Sequence, residues 1–326
     1  MHRNRFFQAS IALAALLLVA LAAVAPLTAR ADPITMAWSP VGNPGNAADP
    51  LTGYGAVDHS YNIGTYDVTV SQYVAFLNSN DPTGTDPLGL YNGKFVNLTY
   101  NSGAASGDMY SVVSGDGNLP ISEVTFYDTL RFANWLDNDQ KSGMTETGAY
   151  TLSGGTPTPS NGATVTRNGD ATVFLPSEDE WYKAAYYNSA TSSYYSYATS
   201  SSTAPTACGP TSTPNSANYN AAVGNLTDVG AYSGTTSPYG AFDMNGDVFQ
   251  WNEALVSGSF RGLRGGSLGF SSSYLPSSYR QYADPTGQTR MYGFRVASVL
   301  TPEPSSLVLA ALGAAGLFLA ARQRKS

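Results

Sequence analysis

The sequence predicts an α+β fold, poor in regular structure and rich in long loops. Three observations lead there. Three short segments carry helix start signals. One segment alternates around an Asn-Gly turn. The remainder is dense in Gly, Ser, Thr, Asn and Tyr and lacks a helical period. Between its two ends the chain has about 270 residues, enough for one large domain or two small ones.

Taken in order, the chain opens with basic residues His2, Arg3 and Arg5, an apolar run from Ile11 to Ala25, and a small-x-small site at Ala29-Arg30-Ala31. Residues 1–31 thus read as a secretory signal peptide and are set aside from fold reasoning. Residues 32–60 lead into the main body. The first helix start is Thr69-Val-Ser-Gln72, ahead of Tyr73, Phe76 and Leu77. The second is Thr125-Phe-Tyr-Asp128, ahead of Leu130, Phe132, Ala133, Trp135 and Leu136. The third is Ser177-Glu-Asp-Glu180, after Pro176 and ahead of Trp181, Ala184 and Ala185. In each, a hydroxyl can cap the backbone while an amide or acid three residues on reaches back. Apolar residues at spacings of three and four predict that each helix buries one face. Thr164–Arg167, Asn168-Gly169 and Ala171–Leu175 read as a hairpin. Ser189 to Ser216 reads as a long surface loop.

The chain closes on Pro302-Glu303-Pro304, an apolar run from Leu307 to Ala321, and a basic tip of Arg322, Arg324 and Lys325. Residues 301–326 resemble the PEP-CTERM sorting signal of Gram-negative bacteria. That resemblance implies export, transient retention in the membrane through 307–321, an exosortase-type sorting machinery as partner, and delivery to the cell surface or beyond. The apolar run is short for a stable span, which needs about 20 residues.

Composition excludes several function classes. Six of the 16 Lys and Arg lie at the two ends, which leaves ten in the body against 23 Asp and Glu. Such an acidic body offers no basic patch for nucleic acid. It suits divalent cations and neutral or cationic glycans. Cys208 is the only cysteine, so no intrachain disulfide can form. His59 is the only histidine once the signal peptide is removed, which argues against zinc, copper or iron held by His and Cys clusters. A hydrolase triad would have to recruit His59, and no Gly-x-Ser-x-Gly elbow accompanies it. Metal ions and the 22 Tyr, 13 Phe and 4 Trp are then the candidates for holding the loops.

Four segments carry a family likeness. They are Tyr61-Asn-Ile-Gly-Thr-Tyr-Asp-Val-Thr69, Leu119-Pro-Ile-Ser-Glu-Val-Thr-Phe-Tyr-Asp128 with Phe132-Ala-Asn-Trp135, and Phe174-Leu-Pro-Ser-Glu-Asp-Glu-Trp181. The last runs from Ser237-Pro-Tyr-Gly240 through Asp243-Met-Asn-Gly-Asp-Val-Phe-Gln-Trp251 to Arg264-Gly-Gly-Ser267 and Gly293-Phe-Arg295. Together, over residues 61–300, they resemble the formylglycine-generating-enzyme, or sulfatase-modifying factor, domain. The resemblance implies one α+β domain related to C-type lectins. Some members oxidise a sulfatase cysteine with two cysteines and copper; many only bind.

The two cysteine positions of the oxidising members fall here on Phe270 and Leu275, which argues against a copper cofactor, since Cu(I) needs soft sulfur ligands. The family's calcium loop maps onto the side chains of Asp243 and Gln250 and the carbonyls of Gly246 and Val248. Calcium takes six to eight such oxygens. A second calcium site maps near Asn218 and Tyr219, with Ala221 where a carboxylate is expected. Trp181, Trp251, Arg264 and Arg295 map to core positions, the arginines being suited to pairing buried acids. The substrate pocket maps near Ser267, Phe270, Tyr274 and Arg280, where aromatic rings can hold a peptide or a glycan. The expectation is therefore an exported binding protein without catalytic residues, active in a biofilm or exopolysaccharide context. The alternative is an atypical formylglycine-generating oxidase, or another enzyme, using the same pocket.

Overall fold

The computed structural model describes residues 33–300. The expected signal peptide, residues 1–31, and the sorting segment, including the apolar run 307–321, lie outside the described residues.

The three helices start where the capping signals place them. α1 spans Val70–Asn80, α2 Phe126–Asp137 and α3 Glu178–Tyr186. Each has a reciprocal capping box: Thr69 with Gln72, Thr125 with Asp128, Ser177 with Glu180. Two orphan N–H groups are satisfied at each start, which sets the first residue of the helix. α1 and α2 face one another through Phe76 and Phe132, whose ring centroids lie 5.4 Å apart, and Phe132 meets Phe294 at 5.3 Å. α2 is buried almost all round. Its Arg131 is fully buried and survives there by pairing with Glu146 at 2.6 Å and donating to the carbonyls of Thr156 and Pro157.

Two four-stranded sheets frame the helices. The first runs in the order β1 (Trp38–Val41), β2 (Tyr61–Gly64), β14 (Ala297–Val299), β5 (Val173–Phe174), all antiparallel. The last strand is thereby inserted between early ones and closes the domain. The second sheet runs β12 (Gln281–Ala283), β11 (Phe260–Arg264), β10 (Phe249–Val256), β13 (Tyr292–Gly293), with β13 parallel to β10. The β10–β11 register shifts between Trp251 and Leu255, where Asn252 turns its side-chain oxygen onto the Ala254 N–H.

Short ribbons pair locally: β3 (Leu98–Tyr100) with β4 (Tyr110–Val112), and β6 (Tyr187–Asn188) with β7 (Ser193–Tyr194). β8 (Thr206–Ala207) pairs with β9 (Ser216–Ala217) in parallel. The segment 189–216 is therefore pinned at both ends rather than an open loop.

The expected hairpin does not form. Phe174 pairs with Ala297, and Arg167 bridges to Tyr150 instead. Both partners are remote in sequence, and burying Phe174 and Leu175 in the core outweighs the local Asn-Gly turn signal.

Candidate functional site

The turn Arg264-Gly265-Gly266-Ser267 delivers the loop that carries the expected pocket. Gly265 and Gly266 both have positive φ, at 101° and 77°. A side chain on Gly266 would strike Leu275, and one on Gly265 would strike the Met244 carbonyl. Only glycine serves there. Beyond the turn, Phe270 meets buried Phe249 at 5.3 Å and Tyr274 at 4.5 Å, and Tyr274 meets Tyr279 at 4.7 Å. Phe270, Tyr274 and Tyr279 are all partly exposed, so their rings form one continuous aromatic surface.

Beside it lies a charge clamp. Glu178 Oε1 accepts from Arg264 Nε at 2.9 Å and from Arg280 Nε at 2.8 Å, while Oε2 accepts from the Arg280 terminal nitrogen at 2.5 Å. The other end of Arg264 donates to the carbonyls of Ser277 and Tyr279 at 2.8 and 2.7 Å. The Tyr54 ring lies 4.8 Å from the Arg264 guanidinium and 5.5 Å from that of Arg280. Glu178 bridges the two guanidiniums, and the Asp179 carboxylate next to it also acts on Arg264. Glu178 thus fixes the loop that presents the rings.

Of the four residues mapped to the pocket, Phe270 and Tyr274 touch, Arg280 joins the adjacent clamp, and Ser267 is fully buried behind the turn with its hydroxyl unpartnered. Sequence reasoning missed Tyr279, Tyr54 and Glu178. Only Glu178 had a signal, as part of the Pro-Ser-Glu-Asp-Glu-Trp segment. The expectation that Arg264 and Arg295 pair buried acids holds, with Glu178 and Asp67 as the acids.

The second cysteine position, Leu275, is fully buried against Ala217 and Tyr219. Cys208 is nearer to it than its place in the chain suggests. Its N–H donates to the Ala217 carbonyl at 3.3 Å, so it extends the β8–β9 pair that packs on Leu275. Among the described residues, the rings touching Phe270 are those of Phe249 and Tyr274. His59 stands elsewhere, between Asp58 and Glu180 at 2.9 Å each. The hydrogen bond to Glu180 raises its pKa. Burial pushes Glu180 up, but Arg167 and His59 overcome that and hold it at about 2.

Of the donors mapped to calcium, the Gln250 side chain is already spent within the chain. Gln250 Oε1 already accepts from Trp181 Nε1 and from Arg295 Nε, both at 2.7 Å, and its Nε2 donates to the Asp243 carbonyl at 2.8 Å. Both lone pairs of the oxygen are used, and a guanidinium stands where a cation would need to approach. Asp243 accepts from the Gly230 N–H at 2.6 Å, and burial pushes its carboxyl up to about 6. Gly246 adopts φ 92° and donates its N–H to Gly265, while Val248 is fully buried against Gly293. At the second position, Asn218 Nδ2 donates to Asp247 Oδ1 and to the Asn225 carbonyl, which leaves only its Oδ1 open. The Tyr219 carbonyl is taken by the Ala222 N–H and its hydroxyl by Pro205. Among the described residues, no three His, Cys, Asp or Glu side chains converge as a metal site. Gln250 is engaged by Trp181 and Arg295, and as a neutral amide it offers a cation less than a carboxylate would.

Comparison with known proteins follows the same lines. The model of the sulfatase-modifying factor enzyme 1-like domain matches residues 44–300, and that of the PEP-CTERM protein-sorting motif matches residues 300–325. A search of curated proteins gives no match. Among solved structures, CarF is similar with 20% identity and a TM-score of 0.58, over 82% of this chain and 99% of that one. Variable protein 1 of Treponema denticola is similar with 19% identity and a TM-score of 0.55, over 82% of this chain and 96% of that one. At these identities the likeness speaks for the fold.

Proposed function

The chain belongs to the sulfatase-modifying factor enzyme 1-like family, and from that premise we propose that it is an exported, non-oxidising binding protein that holds a glycan or peptide of the extracellular polymer on its aromatic surface. The C-terminal motif implies sorting by exosortase-type machinery, with the apolar run 307–321 as a transient anchor. One observation carries the reading. Where the oxidising chemistry needs two thiols there stand a ring and a buried aliphatic, and the ring joins Tyr274 and Tyr279 in a surface suited to stacking. Neither Phe270 nor Leu275 can ligate copper or exchange a disulfide. Tyr and Phe rings instead supply apolar faces with a polar tip for sugar or peptide groups.

The reading is tested with arrays of bacterial exopolysaccharide fragments and of peptides, probed with the wild-type protein and with Tyr274→Ala and Tyr279→Ala. Each variant should weaken binding about tenfold or more, the effect of losing about 1.4 kcal/mol at a central aromatic contact. Binding that survives both substitutions would show that the ligand sits elsewhere.

The oxidase reading has one observation in its favour, the packing of the Cys208 strand against Leu275. A single thiol lacks the partner that a disulfide-exchange cycle needs. Wild-type protein should convert no Cys-x-Pro-x-Arg peptide to formylglycine, with or without copper. Copper-dependent conversion lost in Cys208→Ser would overturn the binding reading.

A further inference from the structure

The chain leaves the domain from an interior strand. β14 lies between β2 and β5, and its last residue is tied on both sides. Val299 pairs with Tyr61, its N–H donates to the Thr172 carbonyl at 3.0 Å, and its carbonyl accepts from Asn62 Nδ2 at 3.4 Å. A strand bonded along both edges cannot peel away without breaking its ladder, so the fold fixes the chain as far as Val299. The apolar run begins at Leu307, and the seven residues 300 to 306 separate it from the strand. Fully extended, that stretch reaches about 25–30 Å. A domain of this length has a radius of gyration of about 18 Å and so measures about 45–50 Å across. With 307–321 held in the membrane, the connection is shorter than the domain is wide. The domain cannot then turn a remote face to the membrane. The end of the first sheet where Val299 emerges has to face it.

That end carries a defined surface. Val299 and Leu300 are 40% and 39% exposed, an apolar pair at the point of exit. On the Tyr61 side stand Asp58 and His59, both exposed. On the Thr172 side stand Asp170, also exposed, and Asp137, whose carboxylate accepts from the Thr172 N–H at 2.7 Å and from its hydroxyl at 2.6 Å. Apart from His59, the basic side chain along these segments is Arg167, which is already shared by Glu180 and Glu253. His59 itself lies between Asp58 and Glu180. The exit is therefore an apolar centre with an acidic rim. Anionic lipid headgroups repel such a rim, whereas a basic protein surface attracts it.

We propose that this end of the sheet, Val299 and Leu300 with the rim of Asp58, Asp137 and Asp170, is the surface on which an exosortase-type sorting enzyme seats the folded domain, and that the enzyme meets it with a basic face. The proposal rests on the reading of residues 301–326 as a sorting signal held in the membrane. It goes beyond the signal, because it gives the folded domain a part in its own sorting.

The test follows the full-length chain in the bacterium that produces it. Pulse-chase labelling with mass analysis reads how fast the C-terminal segment is lost. Asp58→Lys combined with Asp170→Lys should slow that loss about fivefold or more, since rim charges act chiefly on the rate of encounter. Both positions are exposed, so the melting temperature of the domain should stay within a few degrees. Asp108→Lys combined with Asp228→Lys makes the same charge change at exposed positions outside these segments and should leave the rate as it is. The photo-crosslinking residue p-benzoylphenylalanine in place of Asp170 should capture the sorting enzyme, identified by mass spectrometry, and in place of Asp108 it should not. Wild-type rates in the Asp58 and Asp170 variant, equal capture from both positions, or capture of lipid alone from position 170 would each overturn the proposal. If wild-type protein keeps Ser326 in its exported form, the sorting-signal reading itself fails and the docking surface falls with it. The two failures are distinguishable, because a failure of the surface alone leaves wild-type processing intact.

Discussion

Replacing Glu178 with Ala should be the most damaging single change near the aromatic surface. Among the described residues Glu178 is the acid that ion-pairs with Arg264, whose side chain is 1% exposed, and it also holds Arg280, whose side chain is 28% exposed. The two pairs do not weigh equally. Arg280 is open enough to water that its pair contributes about 1 kcal/mol or less. Removing the acid from Arg264 leaves a buried guanidinium bonded only to the Ser277 and Tyr279 carbonyls, and stranding a buried charge in this way costs about 3–5 kcal/mol. For a domain of this size each kcal/mol lowers the melting temperature by about 2–4 °C, so the drop should be about 6–20 °C. Arg280→Gln should cost only a few degrees. Thermal unfolding followed by circular dichroism measures both. If Glu178→Ala melts within about 2 °C of wild type, or if Arg280→Gln is equally damaging, the clamp is not what holds the loop. The same variant should also lose ligand binding, since Arg264 anchors the carbonyl of Tyr279.

Three further outcomes follow from the geometry. Glu180, held at about 2 against a usual 4.5, contributes stability that is present above pH 4.5 and is lost as pH falls toward 2. Glu180→Gln should therefore cost about 3 kcal/mol at pH 7 and progressively less below pH 4.5, and parallel stability curves for the two proteins would refute this. Chelation with EDTA should leave the wild-type melting curve unchanged, because Gln250 has spent its oxygen on Trp181 and Arg295; a drop of several degrees would reveal a calcium ion that this arrangement does not accommodate. Cys208→Ser should leave both melting temperature and ligand binding as they are, since only the backbone of Cys208 is bonded to Ala217 and Tyr232; a changed melt would show that the thiol packs on Leu275.

What the sequence by itself determined is what short-range geometry controls. The three helix starts at Thr69, Thr125 and Ser177 were legible because a capping box closes within four consecutive residues and needs nothing from the rest of the fold. The loss of the thiol pair was equally plain, since it depends only on which atoms Phe270 and Leu275 carry. The family likeness was readable from motifs whose order survives at low identity. Tertiary structure alone decided the rest. It drew Phe174 away from a local turn and onto Ala297, because a strand edge pairs with whatever partner lets its apolar face be buried. It made Gln250 the acceptor for Trp181 and Arg295. It brought the Cys208 strand beside Leu275 and gathered Tyr279 and Glu178 around the rings. Each depends on which charges and hydrogen-bond groups meet across the core, and burial makes those pairings decisive while sequence spacing carries no record of them.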